Sequence, residues 1–315
     1  MKKISYIIPC YKSENTIKTV IDEIISTMEN NSEYNFEIIL VSDNSPDNVF
    51  EIIKLESKDN NFIKGIKLAK NFGQHAALMA GYRNAIGEII ISLDDDGQTP
   101  ANEAFKLVEK LENGYDVVYA SYNEKKHNIL RNFGSKINDI MSEKLISKPK
   151  NLKVSSFFCA KRFVIDEMIK YDKPYPYLLG LVFRTTHSIG NVNVNHRERT
   201  VGKSNYNLKK LVSLWMNGFT AFSIKPLRVA TLLGIAIAFV GFIFGAYTII
   251  NKLLNPKILA GYSSIMAVLL FIGGMIMLML GLLGEYIGRI YICINNSPQY
   301  VIRETVNIEE SIDDK

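Results

Sequence analysis

Cysteine is scarce in this sequence, and the few cysteines present argue against a cysteine metal site and against disulfides. The chain has three, Cys10, Cys159 and Cys293, an odd number without the close spacing of metal ligands. We therefore expect reduced thiols in a cytoplasmic compartment, because disulfides persist in oxidising ones. The net charge of +5 is small for 315 residues, and the basic residues gather near apolar stretches. This distribution favours contact with anionic lipid over binding of nucleic acid.

Charged residues are absent from two long stretches, 229–251 and 258–284. Each stretch exceeds the roughly 20 residues that cross a bilayer as a helix. The alternative is a pair of buried helices in a soluble core, but such helices rarely run so long without a charge. Because residues 252–257 form only a short connection, we expect a transmembrane hairpin over 229–290, with spans at 229–251 and 262–284.

The charges around this hairpin predict its orientation. Its flanks carry six basic residues, Lys209, Lys210, Lys225, Arg228, Arg289 and Arg303, whereas its loop carries two lysines. The positive-inside rule then places both termini, and the domain that precedes the hairpin, in the cytoplasm of a multi-pass protein. Apolar residues recur at helical spacing over 208–222, which predicts juxtamembrane amphipathic helices over 207–228. Residues 291–315 are expected to form a cytoplasmic tail.

The sequence also lacks a glycine-rich dinucleotide fingerprint after its first apolar run, which argues against an NAD-type site. Runs typical of strands occupy residues 4–8, 36–41, 63–68, 88–93 and 116–120, and patterns typical of helices occupy 17–28, 75–85 and 102–111. Strands that alternate with helices predict an α/β domain with a mostly parallel sheet over residues 1–206. Ligands bind such sheets beyond the carboxyl ends of the strands.

Three consecutive aspartates follow the fourth predicted strand. Their like charges repel when they are partly buried, so a compensating cation is expected. Alternate positions on an extended segment point the same way, so Asp94 and Asp96 can share one divalent ion while Asp95 faces elsewhere. Carboxylate oxygens suit Mg²⁺ or Mn²⁺, which also bridge the oxygens of a diphosphate. The alternative is an acidic turn that caps the next helix.

Several runs in the chain resemble known enzymes. They are Asn71, Phe72, Gly73, Gln74 and His75, then Ala80 and Gly81, then the seven residues from Asp94 to Pro100. Together they resemble family 2 glycosyltransferases of the polyprenyl-phosphate type, which include dolichol-phosphate mannose synthases, bactoprenol glucosyltransferases and the aminoarabinose transferases of lipid A modification. The resemblance extends over residues 4 to 290.

This resemblance implies a fold and a reaction. The fold is a GT-A nucleotide-sugar-binding domain, followed by an interfacial helix and a two-helix transmembrane hairpin. The reaction is inverting transfer of a sugar from a UDP- or GDP-linked donor, with Mg²⁺ or Mn²⁺, to polyprenyl (undecaprenyl) phosphate. It takes place at the cytoplasmic face of the bacterial inner membrane and feeds the modification of cell-envelope glycans.

The resemblance also implies roles for individual residues. The donor would be bound by Pro9, Tyr11, Glu14, Asp43, Asn71 and Gln98, with Asp43 accepting a hydrogen bond from the base. The metal ligands would be Asp94, Asp96 and Gln98. The lipid phosphate would be bound by Arg131, Arg197, Lys203 and Ser204, and the catalytic group would consist of Asp94, Asp96, Arg199 and Ser156. Each donor or metal residue could instead have a plain loop or capping role, and Arg131, Arg197 and Arg199 could instead form a solvated basic face near an anionic membrane.

The chain departs from the family pattern at two places. Lys203 precedes Ser204, whereas the family's lysine follows that serine, and Asn205 takes the lysine's place, which leaves open which side chain meets phosphate. Ser156 stands where relatives carry an aspartate. A phosphate monoester is already anionic near neutral pH, since its second pKa is about 6, so the acceptor needs no base. We expect altered substrate positioning with activity retained.

Two other functions stay open from the sequence. A processive polysaccharide synthase would need a pore of several helices and a glutamine-x-x-arginine-tryptophan motif, but Trp215 lacks that context. A non-catalytic membrane scaffold with an inherited transferase fold is the second, and retention of Asp94, Asp96 and Gln98 argues against it. By family analogy, a flippase partner and a homo-oligomer are also expected.

Overall fold

The computed structural model describes residues 1–122, 149–195, 197, 225–255 and 261–308. The chain divides into two compact units. The first comprises Met1–Lys210 with Asn296–Lys315, and the second comprises Leu211–Asn295. The α/β domain predicted from the alternating pattern corresponds to the first unit, and the predicted hairpin lies in the second.

The described part of the first unit contains one mixed sheet. Its strands are β1 (Lys2–Cys10), β2 (Tyr34–Ser42), β3 (Ile63–Leu68), β4 (Ile89–Ser92), β5 (Val117–Tyr122), β6 (Phe158–Lys161), β7 (Ile189–Val194) and β8 (Ile302–Val306). Their spatial order is β7-β5-β6-β4-β1-β2-β3-β8. Pairing is parallel except where β6 meets β4 and β5 and where β8 meets β3. The mostly parallel sheet expected from the sequence is confirmed.

Helices connect these strands. They are α1 (Ile17–Glu29), α2 (Val49–Asp59), α3 (Gln74–Asn84), α4 (Ala104–Glu112), α5 (Arg162–Ile169) and α6 (Leu178–Thr185). The sequence analysis assigned no element to α2. Its buried side chains are only Val49, Phe50, Ile53 and Ser57, so its apolar stripe is narrow and its helical period is weak.

The central strands are buried on both faces, as parallel strands require. On one face, Ile4, Tyr6 and Ile8 of β1 join the apolar stripe of α1 in the core. On the other face, α3 approaches β1 so closely that a Cβ added at Gly81 would lie 2.4 Å from Ile7 Cγ2. The lack of a side chain at Gly81 therefore allows α3 to pack this closely against β1.

Within the predicted cytoplasmic tail, residues 291–315, the chain returns to this sheet. Strand β8 pairs antiparallel with β3, so that Val306 lies opposite Gly65. The edge of β3 would otherwise expose unpaired backbone groups, and the β-branched residues Ile302, Thr305 and Val306 suit a strand that covers it. Residues from 309 onward lie outside the described part of the chain.

The second unit contains two long apolar helices, α7 (Lys225–Leu254) and α8 (Tyr262–Ile294). Leu227–Asn251 and Phe271–Ile294 are long and apolar enough to cross a bilayer, with mean hydropathies of 2.4 and 1.7. Most of their large apolar side chains are exposed. A soluble protein would bury them, so this surface favours lipid as its surroundings. The predicted amphipathic segment 208–222 lies outside the described residues.

Candidate active site

Asp95, the middle aspartate of the acidic loop after β4, binds the loop after β1. Asp95 Oδ2 accepts a hydrogen bond from the Tyr11 amide at 2.9 Å, and the Asp95 carbonyl accepts one from the Thr16 hydroxyl at 2.6 Å. Burial, and then the neighbouring charges of Asp94 and Asp96, raise the pKa of the Asp95 carboxyl to about 6. Asp95 therefore faces the β1 loop, in agreement with the alternation expected from the sequence.

The first aspartate joins three segments that are distant in sequence. Asp94 Oδ1 accepts a hydrogen bond from Gln74 Nε2 at 3.1 Å. Its Oδ2 accepts one from the Ser156 hydroxyl. Gln74 is the first residue of α3, and Ser156 lies just before β6. The structure thus brings together Asp94 and Ser156, both predicted from sequence, with Gln74, to which the sequence analysis gave no role.

The third aspartate lies in a tight turn. Asp96 Oδ1 accepts a hydrogen bond from the backbone amide of Gln98 at 3.1 Å. Gly97, between them, has φ +68°. That left-handed conformation favours glycine. Tyr122 at the end of β5 lies near this turn, and its hydroxyl is 3.2 Å from the Thr99 hydroxyl. Burial raises the pKa of Tyr122, and the charges of Asp94 and Asp96 raise it further. Sequence reasoning missed Tyr122 because a tyrosine in a strand carries no distinctive signal.

Asp43 lies at the end of β2 and anchors the beginning of α3. Its buried carboxylate accepts hydrogen bonds from the amides of Phe72 at 2.7 Å and Gly73 at 2.8 Å. The Asn71 side chain donates to the Asp43 carbonyl at 3.3 Å. Burial raises the pKa of Asp43, while these two backbone hydrogen bonds act in the opposite direction. The predicted base-binding aspartate is therefore also the residue that shapes the loop before Gln74.

The other predicted donor residues of the β1 loop differ in exposure. Pro9 is buried within β1 opposite Val41. Glu14 connects the loop to the start of α2, because its carboxylate accepts a hydrogen bond from the backbone amide of Asn48 at 3.0 Å. Tyr11 is 42% exposed, and the Lys12 ammonium lies 5.6 Å from the centre of its ring.

The predicted phosphate-binding residues are only partly described. The Arg197 amide donates to the Gln98 carbonyl at 2.7 Å, but its guanidinium pairs with Glu23 of α1 at 2.6 Å. The Arg197 backbone therefore contacts the acidic loop, while its side chain contacts α1. Arg131, Arg199, Lys203 and Ser204 lie outside the described residues. In the described part of the chain, no group of three His, Cys, Asp or Glu side chains has metal-binding geometry.

Comparison with known proteins identifies the family of the chain. A family model described as glycosyl transferase family 2 matches residues 5–170, and one described as the GtrB C-terminal hairpin matches residues 225–290. The glycosyltransferase YkcC of Bacillus subtilis is 32% identical over 97% of this chain and 94% of the relative. Undecaprenyl-phosphate 4-deoxy-4-formamido-L-arabinose transferase of Yersinia pestis is 31% identical over 99% of this chain and 96% of the relative.

Among solved structures, the fold is similar to that of glucosyl-3-phosphoglycerate synthase from Mycobacterium tuberculosis, determined with Mn²⁺, UDP and phosphoglyceric acid. The TM-score is 0.53 at 17% identity, and the match covers 70% of this chain and 76% of that chain. The similarity to this enzyme shows a GT-A fold, and the family model shows that the chain is a glycosyltransferase. The chain belongs to glycosyl transferase family 2, and its carboxyl-terminal helices match the hairpin of the GtrB type.

Proposed function

We propose that this membrane glycosyltransferase moves a sugar from a nucleotide-sugar donor to polyprenyl phosphate at the cytoplasmic face of a bacterial inner membrane. The observation that carries the proposal is the near full-length similarity to a transferase named for undecaprenyl phosphate. The two membrane-length helices support it, because a lipid phosphate lies at the headgroup level of a bilayer. A lipid-linked product made inside would then need a flippase, and the proposal includes this partner and a homo-oligomer.

The oxygen-rich acidic loop fits a divalent cation. Asp94, Asp96 and Gln98 offer hard oxygen donors of the kind that Mg²⁺ and Mn²⁺ prefer. Since two carboxylates and one amide do not complete a coordination shell, diphosphate oxygens and water would complete it. A cation there would neutralise the charge that grows on the nucleoside diphosphate as it leaves. The similar solved enzyme is described with both Mn²⁺ and UDP.

The chain's own residues position the reactants. Gln74 and Ser156 hold the Asp94 carboxylate in one orientation, and Asp43 holds the loop that carries Gln74. A phosphate oxygen of the lipid forms a bond to the anomeric carbon, and the bond from that carbon to the diphosphate breaks. One displacement inverts the configuration, and the anionic acceptor loses no proton that would require a base.

The reaction is tested with the purified full-length protein in detergent. It is incubated with undecaprenyl phosphate, Mn²⁺ and a panel of radiolabelled UDP- and GDP-sugars, and labelled lipid is measured in the organic phase. We expect one donor to give a labelled lipid that depends on the lipid phosphate. Labelled water-soluble polymer would favour the processive synthase, and metal-dependent nucleotide binding without transfer to any acceptor would favour the scaffold.

The orientation is tested by labelling the loop between the helices. In a Cys293→Ser background, a cysteine placed at Asn255 is expected to react with an impermeant thiol reagent in intact cells, because the loop is proposed to face outward. The other native cysteines, Cys10 and Cys159, are buried. The control is Asn113→Cys at the exposed end of α4, which should react only after lysis. The reverse pattern would place the catalytic domain outside.

Ser156→Ala is expected to lower transfer by tenfold or less, about 1.4 kcal/mol of transition-state stabilisation. It removes one hydrogen bond to Asp94 and no base. Arg199→Ala is expected to cost more, because a charge-assisted contact to phosphate contributes about 1.5–3 kcal/mol. Both are measured as lipid-linked product at saturating donor and varied lipid phosphate. An inactive Ser156→Ala beside a nearly normal Arg199→Ala would instead indicate a hydroxyl acceptor that requires activation.

A further inference from the structure

A buried amide lies in the short segment of chain that precedes strand β8. Gln299 is only 6% exposed. Its Nε2 donates hydrogen bonds to the carbonyls of Tyr171 at 3.1 Å and Lys173 at 2.9 Å. Both carbonyls belong to the connection between α5 and α6, residues 170–177, which we call the α5–α6 loop. One side chain near the carboxyl end thus binds two carbonyls of a loop in the catalytic domain.

Neighbouring contacts place the same segment beside α3 and the chain that precedes it. The Val301 carbonyl accepts a hydrogen bond from the Ala69 amide at 2.8 Å, directly after β3. The Arg83 guanidinium, near the end of α3, lies 5.7 Å from the centre of the Tyr300 ring. It also donates to the Tyr171 carbonyl at 3.4 Å. Residues 299–301 therefore contact both the α5–α6 loop and the segment that leads into the 71–75 motif.

The α5–α6 loop in turn contacts that motif. His75 Nδ1 donates to the Pro176 carbonyl at 3.0 Å, and the His75 ring lies 6.0 Å from the ring of Tyr177. His75 directly follows Gln74, whose amide binds Asp94. A chain of direct contacts thus runs from Gln299 through the loop to the first turn of α3 and the acidic loop.

We propose that Gln299 is a positioning residue for the donor side of the active site, acting through the α5–α6 loop on His75 and Gln74. Gln299 itself contacts the loop, not the aspartates. The inference rests on the proposed function, because it assigns donor use to the Asp94 side of the site. A displaced Gln74 would leave the Asp94 carboxylate poorly oriented toward the donor, so the expected loss is in binding of the nucleotide sugar.

The chain offers a matched control at the other end of β8. Asn307 Nδ2 donates to the carbonyls of Ser57 at 2.7 Å and Ile63 at 3.0 Å, at the beginning of β3 and away from the strand ends that carry the aspartates. Its φ of 56° is left-handed, so glycine is tolerated there. Asn307→Gly therefore removes a carbonyl-binding amide from the same segment without touching the α5–α6 loop.

The test compares full-length Gln299→Met and Asn307→Gly by hydrogen exchange. Methionine has nearly the length of glutamine and removes both N–H donors of the Gln299 side chain. We expect Gln299→Met to speed exchange of the backbone amides over 72–77 and 171–177 by about tenfold, while Asn307→Gly speeds exchange near 57–63 only. Equal exchange of 72–77 in both variants would overturn the proposal. If Gln299→Met does not fold, Gln299→Asn, with a shorter amide, is expected to show the same pattern at smaller amplitude.

Kinetics provide a second readout. For Gln299→Met we expect the KM for the nucleotide sugar to rise about tenfold, with the KM for lipid phosphate and kcat within about twofold. A partly unfolded enzyme would lower kcat and leave both KM values unchanged, and that result would contradict positioning. If the unmodified protein transfers no sugar to lipid, the proposed function fails, but the exchange pattern still decides whether Gln299 holds the motif helix.

Discussion

Asp96→Asn is expected to lower sugar transfer about a thousandfold, roughly 4 kcal/mol of transition-state stabilisation, with the fold intact. Asparagine has nearly the volume of aspartate, and its side-chain oxygen can still accept the hydrogen bond from the Gln98 amide. What is lost is the negative charge proposed to bind a divalent cation beside the diphosphate. The measurement is the rate of lipid-linked product over a Mn²⁺ titration, together with the thermal unfolding midpoint.

The matched control for this experiment is Asp22→Asn on the exposed face of α1. Asp22 pairs with Lys18 at 3.4 Å, and exposed pairs of this kind contribute about 0–1 kcal/mol, so transfer should be unchanged. If Asp96→Asn transfers sugar normally at limiting Mn²⁺, the assignment of Asp96 as a metal ligand is wrong. If both variants lose activity together with their unfolding midpoints, the loss reflects folding and not chemistry.

Asp43→Ala is expected to raise the KM for the donor about a hundredfold. The two carboxylate oxygens accept hydrogen bonds from the amides of Phe72 and Gly73, and alanine leaves both amides without this acceptor. Hydrogen bonds to a charged acceptor contribute about 1.5–3 kcal/mol each, and water that enters the space would recover part of this. The loop that carries Gln74 would then lose its anchor. The measurement is steady-state kinetics with varied nucleotide sugar.

Two further variants separate the possible roles of Asp43. Asp116→Ala is the control, because Asp116 also anchors a loop, through the Thr186 hydroxyl at 2.8 Å, but at the start of β5. Asp43→Asn distinguishes anchoring from base recognition. An anchor weakens use of UDP- and GDP-linked donors equally, whereas a base-binding group changes the preference between them. A donor KM unchanged in Asp43→Ala would contradict both roles.

Periodic apolar patterns were sufficient to predict the class of fold. Strands β1 to β5 and helices α1, α3 and α4 lie close to their predicted positions, because each buries a face whose apolar residues recur at the period of its backbone. The lack of charge over 229–251 was likewise sufficient to predict a membrane-length helix. Helix α2 was not predicted because its buried apolar stripe is narrow. Strand β8 was not predicted because its partner β3 lies far earlier in the chain.

The candidate site was predictable only as a set of loops. The carboxyl ends of parallel strands meet at one edge of a sheet. The predicted strands therefore placed Asp43 and the acidic loop after β4 at the same edge. The hydrogen bond between Gln74 and Asp94 could not be predicted, because no local pattern relates the start of α3 to the end of β4. The same holds for the ion pair of Arg197 with Glu23, which joins residues far apart in the sequence.

Local pattern alone therefore specified the α/β domain, the apolar helices and the acidic loop after the fourth strand. The folded arrangement specified which polar atoms meet: Asp95 with Tyr11, Asp94 with Ser156, and Gln299 with the α5–α6 loop. The reason is physical. Burial of apolar area is non-directional and depends on a repeating pattern along one segment. A hydrogen bond depends on distance and angle between atoms that distant segments bring together.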